Sequence, residues 1–350
     1  MLNTDPPAGD LSKAHTLPAS WYRDPAIYER ERHAIFAREW LVVGRAAQVA
    51  GPGDYVATAI AGWNVFTMRG EDGVLRGFHN VCRHRAGPLV WDGAGTCANL
   101  VCRYHGWAYD RTGCLRSARD FGDAADFDPG EYGLLPVQAD IWGGLVWVNL
   151  DLDAAPLEVA IAAFAAECDG WDMARLEWSH AHSVEIDANW KNYADNYMEG
   201  YHIPLVHPEL NRQVDARRYE VLVGDRYCNH VAPARDGAIA AGKWLWRFPT
   251  LALGVYGGGM EIERFIPLGP HRTRVTYDFF FTPGTPEQER REVTRVAVDV
   301  LEEDKRICEA VQRNLDSGAY DVGRLSPRHE NGVWYLQQLI TGALEGRPPS

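Results

Sequence analysis

Two short segments, Cys82-Arg83-His84 and Cys102-Arg103-Tyr104-His105, separated by 17 residues, constrain this chain more than any other feature. Each pairs a thiol with an imidazole. Brought together, they offer one binuclear iron–sulfur cluster two thiolates for one iron and two imidazoles for the other. That asymmetry raises the reduction potential to roughly −150 to +300 mV, above all-cysteine clusters of the plant type. Structural zinc fits poorly, because zinc fingers group Cys with Cys and His with His, whereas both pairs here are mixed. The segment reads as an electron relay held by two loops lying side by side.

The 350 residues exceed what one core usually spans, and a cluster-binding unit needs only the first half, so two domains are expected. A composition of 46% hydrophobic and 11% aromatic residues suffices for a sizeable core. The longest apolar runs are broken by charge well before the roughly 18 residues a membrane span needs. The start, Met1-Leu2-Asn3-Thr4-Asp5-Pro6-Pro7, lacks a basic stretch followed by an apolar one, so no signal peptide is expected. Seven scattered cysteines (82, 97, 102, 114, 168, 228, 308) suit a reducing cytoplasm. A net charge of −13 argues against a nucleic-acid partner.

Asp24-Pro25-Ala26-Ile27-Tyr28 opens a capped helical pattern that runs to Phe36, read as an N-terminal arm over 1–40 packing on the second domain. Short β-type runs (Leu41-Val43, Tyr55-Ile60, Val65-Met68, Leu145-Leu150) between Gly, Pro and Asn turns predict a small antiparallel sandwich over 41–155. The boundary falls in Asp151–Pro156, before an alanine-rich helical stretch from Leu157 to Cys168. Residues 156–350 mix strands (Arg217-Val223, Glu261-Pro267, Arg274-Phe281) with helices near 188–203 and 286–316. The chain is therefore expected to be α+β.

The first of those helices places Asn192, Asp195, Glu199 and His202 on one face. His207 lies five residues beyond His202, and a helix broken at Pro204 brings both imidazoles to one metal. The third ligand is expected to be a carboxylate, completing a 2-His-1-carboxylate triad with iron positions open for O2. In the long helix after Thr285-Pro286-Glu287, apolar residues recur at Val293, Ala297, Val300, Ile307, Val311 and Leu315, with Asp304 on the same stripe. An inward Asp is costly without a partner, and Fe(II) stabilises its charged form. The rivals Glu302 and Glu303 lie off the stripe and are expected to be solvated. Arg83 and Arg85 stay open between hydrogen-bonding near the cluster or a partner carboxylate and simple solvation.

Asn80-Val81-Cys82-Arg83-His84-Arg85 and Cys102-Arg103-Tyr104-His105-Gly106-Trp107 resemble the two cluster loops of Rieske proteins. Together with His202-x4-His207 and the distant Asp304, the chain resembles over almost its whole length the oxygenase (α) components of Rieske non-heme iron oxygenases. The resemblance implies a helix-grip-like catalytic domain, an antiparallel sheet with a long C-terminal helix. In that family a carboxylate three residues before the first His links the iron to a neighbouring subunit's Rieske His, the position of Glu199. Most ring-hydroxylating dioxygenases have Asp there. The Glu, and the tail over 304–315 and 320–327, look more like the branch that oxidises quaternary ammonium compounds such as carnitine, choline and glycine betaine. The resemblance also implies a separate NAD(P)H-dependent flavin and iron–sulfur reductase, a head-to-tail homotrimer, and electrons leaving the cluster through His105. Asp195 is placed on the proton or electron path or in a helix-face hydrogen bond.

For substrate, Tyr193, Tyr197 and Tyr201 repeat beside the iron stripe, with Trp244, Trp246 and Tyr256 from the following sheet region. Such rings cage a quaternary ammonium, stack on an aromatic substrate, or fill the core. A quaternary-amine oxygenase leads, an oxygenase hydroxylating an aromatic acid is second, and a bare electron carrier is third. The carrier leaves Glu199, His202, His207 and Asp304 without a purpose.

Overall fold

Asp24 caps the first helix, α1 (Pro25–Glu31), its carboxylate accepting from Ala26 N at 2.8 Å, while Pro25 sits where a missing N–H costs nothing. Beyond Glu31 the expected helix widens into a π turn over Arg32–Phe36. The computed structural model describes residues 9–171, 173–235, 238, 242–256 and 258–347. Two compact units emerge, Phe36–Ile161 and a discontinuous one joining Met1–Ile35 to Ala162–Ser350. The breaks lie a few residues from the expected 40/41 and 155/156. The arm belongs to the second unit.

The Phe36–Ile161 unit contains ten strands: β1 (Leu41–Arg45), β2 (Asp54–Ile60), β3 (Trp63–Arg69), β4 (Leu75–His79), β5 (Gly93–Thr96), β6 (Leu100–Val101), β7 (Ala108–Tyr109), β8 (Leu115–Ser117), β9 (Pro136–Trp142) and β10 (Leu145–Asn149). Seven pair antiparallel in the order β1-β10-β9-β4-β3-β2-β5, and β6-β7-β8 form a small second sheet. Phe66, Met68, Phe78, Leu100, Trp107 and Tyr109 fill the space around the cysteines. The cluster segments follow β4 and join β6 to β7. Ile161, at φ −115° and ψ 9°, breaks the helix expected over 157–168 into α2 (Leu157–Ala160) and α3 (Ala162–Glu167).

In the second unit β11 (Glu177–Ile186), β12 (Glu220–Val223), β13 (Tyr227–Val231), β14 (Lys243–Arg247), β15 (Leu251–Tyr256), β16 (Gly259–Gly269) and β17 (Arg272–Phe281) form one antiparallel sheet, ordered β11-β17-β16-β15-β14-β13-β12. The strand expected from Arg217 starts at Glu220, because Asp215 caps a 3-10 turn over Ala216–Arg218. Helices α4 (Trp190–Tyr197), α5 (Ile203–Val206), α6 (Pro208–Gln213), α7 (Glu287–Asp316) and α8 (Asn331–Leu344) complete the unit. α4 packs on both β16 and α7.

α7 turns Val293, Val296, Leu301, Asp304, Cys308, Gln312 and Leu315 inward. Ile307 and Val311, expected on that face, are 39% exposed each. Gln312 takes the inward place because its amide is satisfied there, accepting from Asn189 N at 3.0 Å and donating to Tyr22 O at 3.1 Å. Asp304 stays inside under either face. No helix among the described residues is long and apolar enough to cross a membrane.

The arm is tied to the far end of the chain: Leu17 N donates to Gln337 Oε1 at 3.1 Å and Ala19 N to Asp321 O at 2.8 Å. Deeper, Lys191 Nζ meets Glu31 Oε1 at 2.6 Å with both side chains fully buried, and Trp190 Nε1 donates to Glu31 Oε2 at 2.8 Å. Removing one partner strands a charge, whereas removing both does not. Lys191→Met is therefore expected to cost about 3–5 kcal/mol in denaturant unfolding, and Glu31→Leu/Lys191→Met to recover most of it. A single variant as stable as the parent would show that the pair does not anchor the arm.

Candidate active site

The two cluster loops are built alike. Cys82 N donates to Gly87 O at 2.8 Å and Ala86 N to Cys82 O at 3.0 Å; Cys102 N donates to Trp107 O and Gly106 N to Cys102 O, both at 2.9 Å. In each loop the residue before the closing one is left-handed, Ala86 at φ 56° and Gly106 at φ 77°. Both thiols are buried, and the rings of His84 and His105 meet edge-on at 4.5 Å between centroids. Trp107 stacks on His84 at 5.0 Å, fixing its plane. The four residues singled out for a cluster thus lie together.

Their surroundings fit an iron–sulfur group. His84 Nδ1 is buried with no hydrogen-bond partner, which leaves a lone pair for iron. A Cβ on Gly87 would lie 2.8 Å from Cys102 Sγ, so only bare backbone allows the sulfur its position. Burial raises the Cys102 thiol, while backbone N–H groups of Tyr104 and His105 at the sulfur work the other way and favour thiolate. Tyr109 Oη lies 3.4 Å from Cys82 Sγ. Arg83 braces the loop by donating to Gly133 O at 2.9 Å, and exposed Arg85 lies over the Tyr104 ring at 5.3 Å.

In the other unit α4 stops at Tyr197, so Glu199 and His202 lie on the irregular turn after it rather than on one helix over 188–203. The Tyr219 ring occupies the space beside residue 200, 2.5 Å from where a Cβ would be, and only glycine fits. Pro204 does not break a helix; it starts α5, as Pro208 starts α6, since the first turn needs no N–H from it. His202 and His207 consequently cap the two ends of a single helical turn.

Their Nε2 atoms are 3.1 Å apart, and Asp304 Oδ1 lies 3.0 Å from that of His207 and 3.7 Å from that of His202. The opposite nitrogens are held by carboxylates, His202 Nδ1 by Glu199 Oε1 at 2.5 Å and His207 Nδ1 by Glu303 Oε2 at 2.8 Å. With each Nδ1 carrying the proton, three lone-pair donors face one another, an arrangement suited to a metal cation. These three are the group among the described residues whose ligand atoms converge within 4.8 Å. Burial disfavours imidazolium at His207, yet the Asp304 and Glu303 hydrogen bonds and charges outweigh it and raise the pKa; a cation is welcome there.

Glu303 thus corrects the expectation of a solvated acid. It is 28% exposed and reaches His207 because successive helical residues project only about 100° apart. Asn196, also unforeseen, donates to Asp304 Oδ1 at 2.6 Å. Glu199 Oε2 also accepts from the Tyr201 and His202 backbone N–H groups. Asp195 does not reach the triad. Its carboxylate accepts from Tyr22 Oη and from Gln337 Nε2 at 3.4 Å, and burial pushes it up to about 7.

A cavity of about 110 Å³ opens beside the triad between the sheet and α7. Tyr193, Tyr197, Trp244 and Tyr256 line it, joined by Tyr219 and Tyr277. Two of the proposed rings do not: Tyr201 is 58% exposed and stacks on His329 at 4.6 Å, and Trp246 is core packing against Phe248. Sequence spacing also overlooked Glu261 and Glu263, which enter from one face of β16. Glu263 accepts from Tyr193 Oη at 2.6 Å, and burial pushes each carboxyl up to about 8.

Comparison with known proteins agrees with this geometry. The Rieske [2Fe-2S] domain matches residues 39–128, and the ring hydroxylating alpha subunit (catalytic domain) matches 173–235 and 225–346. The carnitine monooxygenase oxygenase subunit of Escherichia coli (strain K12) is 32% identical over 94% of this chain and 93% of its own length. Chloroplastic choline monooxygenase of Spinacia oleracea is 30% identical, covering 93% of this chain and 79% of that protein. Among solved structures, the quaternary ammonium Rieske monooxygenase CntA with L-carnitine superposes with a TM-score of 0.85 at 29% identity, over 95% of this chain and 97% of that one. Naphthalene 1,2-dioxygenase from Rhodococcus sp. shares the fold at 20% identity and a TM-score of 0.78, over 95% of each chain.

The chain belongs to the Rieske non-heme iron oxygenases, as an oxygenase (alpha) subunit. It is an oxidoreductase whose two domains take a Rieske [2Fe–2S] cluster and a mononuclear iron. Glu303→Ala is expected to weaken mononuclear iron binding about 10- to 100-fold and to leave the Rieske visible spectrum intact, read by iron titration of the apoprotein. Unchanged affinity would reduce Glu303 to a surface acid.

Proposed function

We propose that this chain hydroxylates or N-demethylates a small quaternary ammonium compound, the class to which the carnitine and choline named for its relatives belong. The observation that carries this reading is the cavity beside His202, His207 and Asp304, walled by aromatic rings and entered by two carboxylates. A permanent cation gains about 0.5–2 kcal/mol from each ring face it meets once desolvated. An aromatic acid would instead bring its charge against Glu261 and Glu263. When bound, the cluster, through Cys82, His84, Cys102 and His105, supplies electrons singly, and Fe(II), through His202, His207 and Asp304, binds and activates O2.

The remaining work falls to side chains. Glu199 and Glu303 keep the protons on the Nδ1 atoms and so aim both imidazoles. Asn196 holds the Asp304 carboxylate in place. The rings of Tyr193, Tyr197, Trp244 and Tyr256 orient the ammonium and exclude water. Overall, substrate, O2, two electrons and two protons give the hydroxylated substrate and water; an N-methyl group so oxidised leaves as formaldehyde. A separate NAD(P)H-dependent flavin and iron–sulfur reductase supplies the electrons. In a homotrimer, Glu199 receives them from His105 of a neighbouring subunit, and the free thiols suit a reducing cytoplasm.

Metal analysis after anaerobic iron loading should return about three irons and two sulfides per chain; two irons would leave a bare electron carrier. Glu199→Gln is expected to keep both metal sites and slow cluster reoxidation by O2 in the presence of substrate. Unchanged single-turnover kinetics would remove Glu199 from the electron path.

A further inference from the structure

We propose that the substrate is a net cation, an ammonium whose other polar group is uncharged, as in an amino alcohol. Glu261 and Glu263 select it over zwitterions that carry a carboxylate. The proposal rests on the oxygenase reading above and narrows it.

The charges facing the cavity carry the inference. The acids there are Glu199, Glu261, Glu263 and Asp304, and among the described residues no Lys or Arg lines it. The undescribed residues, 1–8, 172, 236–237, 239–241, 257 and 348–350, include no Lys or Arg. Two basic groups next to lining residues in sequence are committed elsewhere: Arg264 to Asp278 at 2.9 Å and Lys243 to Glu167 at 2.9 Å. Glu199 and Asp304 serve the iron site, which leaves Glu261 and Glu263 surplus. Burial holds both carboxyls largely protonated, and a cation entering the cavity they line favours their ionised form.

The room for Glu261 is built in. Across the strand pair a Cβ on Gly254 would lie 2.6 Å from Glu261 Oε1, so the bare backbone there accommodates the carboxylate. A zwitterion would match its ammonium end and bring a second anion into a cavity with nothing to neutralise it. Tyr256 Oη is buried without a hydrogen-bond partner and offers a neutral donor for a hydroxyl oxygen.

Calorimetric titration of the cluster- and iron-loaded enzyme with choline, its uncharged isostere 3,3-dimethylbutan-1-ol, carnitine and glycine betaine tests this. Choline is expected to bind about 100-fold more tightly than the isostere and than either zwitterion. Glu261→Gln should shrink the choline preference about 10-fold while leaving the affinity for the isostere unchanged, a signature that general loosening of the fold does not produce. Gly254→Ala should act in the same direction. Carnitine or glycine betaine binding as tightly as choline overturns the proposal and leaves the oxygenase reading standing. Hydroxylation of an aromatic acid by an enzyme that binds none of the four overturns both.

Discussion

The placement of one proton on each of two imidazoles governs the second half of this molecule. Because Glu199 and Glu303 claim the Nδ1 hydrogens, the Nε2 lone pairs of His202 and His207 have only each other and Asp304 to face. Held so by protein alone they repel, and the surrounding architecture exists to hold them. α4 ends early enough to free the turn, two prolines start the short helices on either side of His207, and α7 supplies adjacent carboxylates for ligand and brace.

The same logic of buried charge recurs away from the metal. Lys191 and Glu31 share a fully buried contact that ties arm to helix. Asp195 lies nearby with a phenol and an amide as partners. In the cavity Glu261 and Glu263 are left with rings and the phenol donors Tyr193 and Tyr277. Charges compensated by protein serve architecture, and those left short of a partner face the space where a ligand enters.

Much of this is legible in the sequence where chemistry is local. The cluster ligands sit in two tight loops whose hydrogen bonds close within five residues, and His-x4-His is a single turn, so spacing alone brings each pair together. Asp304 is readable from helical period although Ile307 and Val311 are not, because the period locates a face only to within a residue and Gln312 finds partners inside. What spacing misses arrives through tertiary register. Glu303 matters only because His207 comes to it, and Glu261 and Glu263 only because β16 lies beneath α4. Tyr201 and Trp246 fail as cavity residues for the complementary reason: the helix that was to carry Tyr201 ends four residues earlier, and core packing claims Trp246.

Leu17 and Ala19 hydrogen-bond to residues 337 and 321, so the iron-binding unit is sewn shut by its two chain ends. On the ribosome this imposes a calendar. The inserted cluster unit is complete in sequence before β11 has been made, whereas the arm's contacts are not complete until α8 emerges. Iron–sulfur assembly can thus precede completion of the second unit, and the mononuclear site is among the last things this polypeptide acquires.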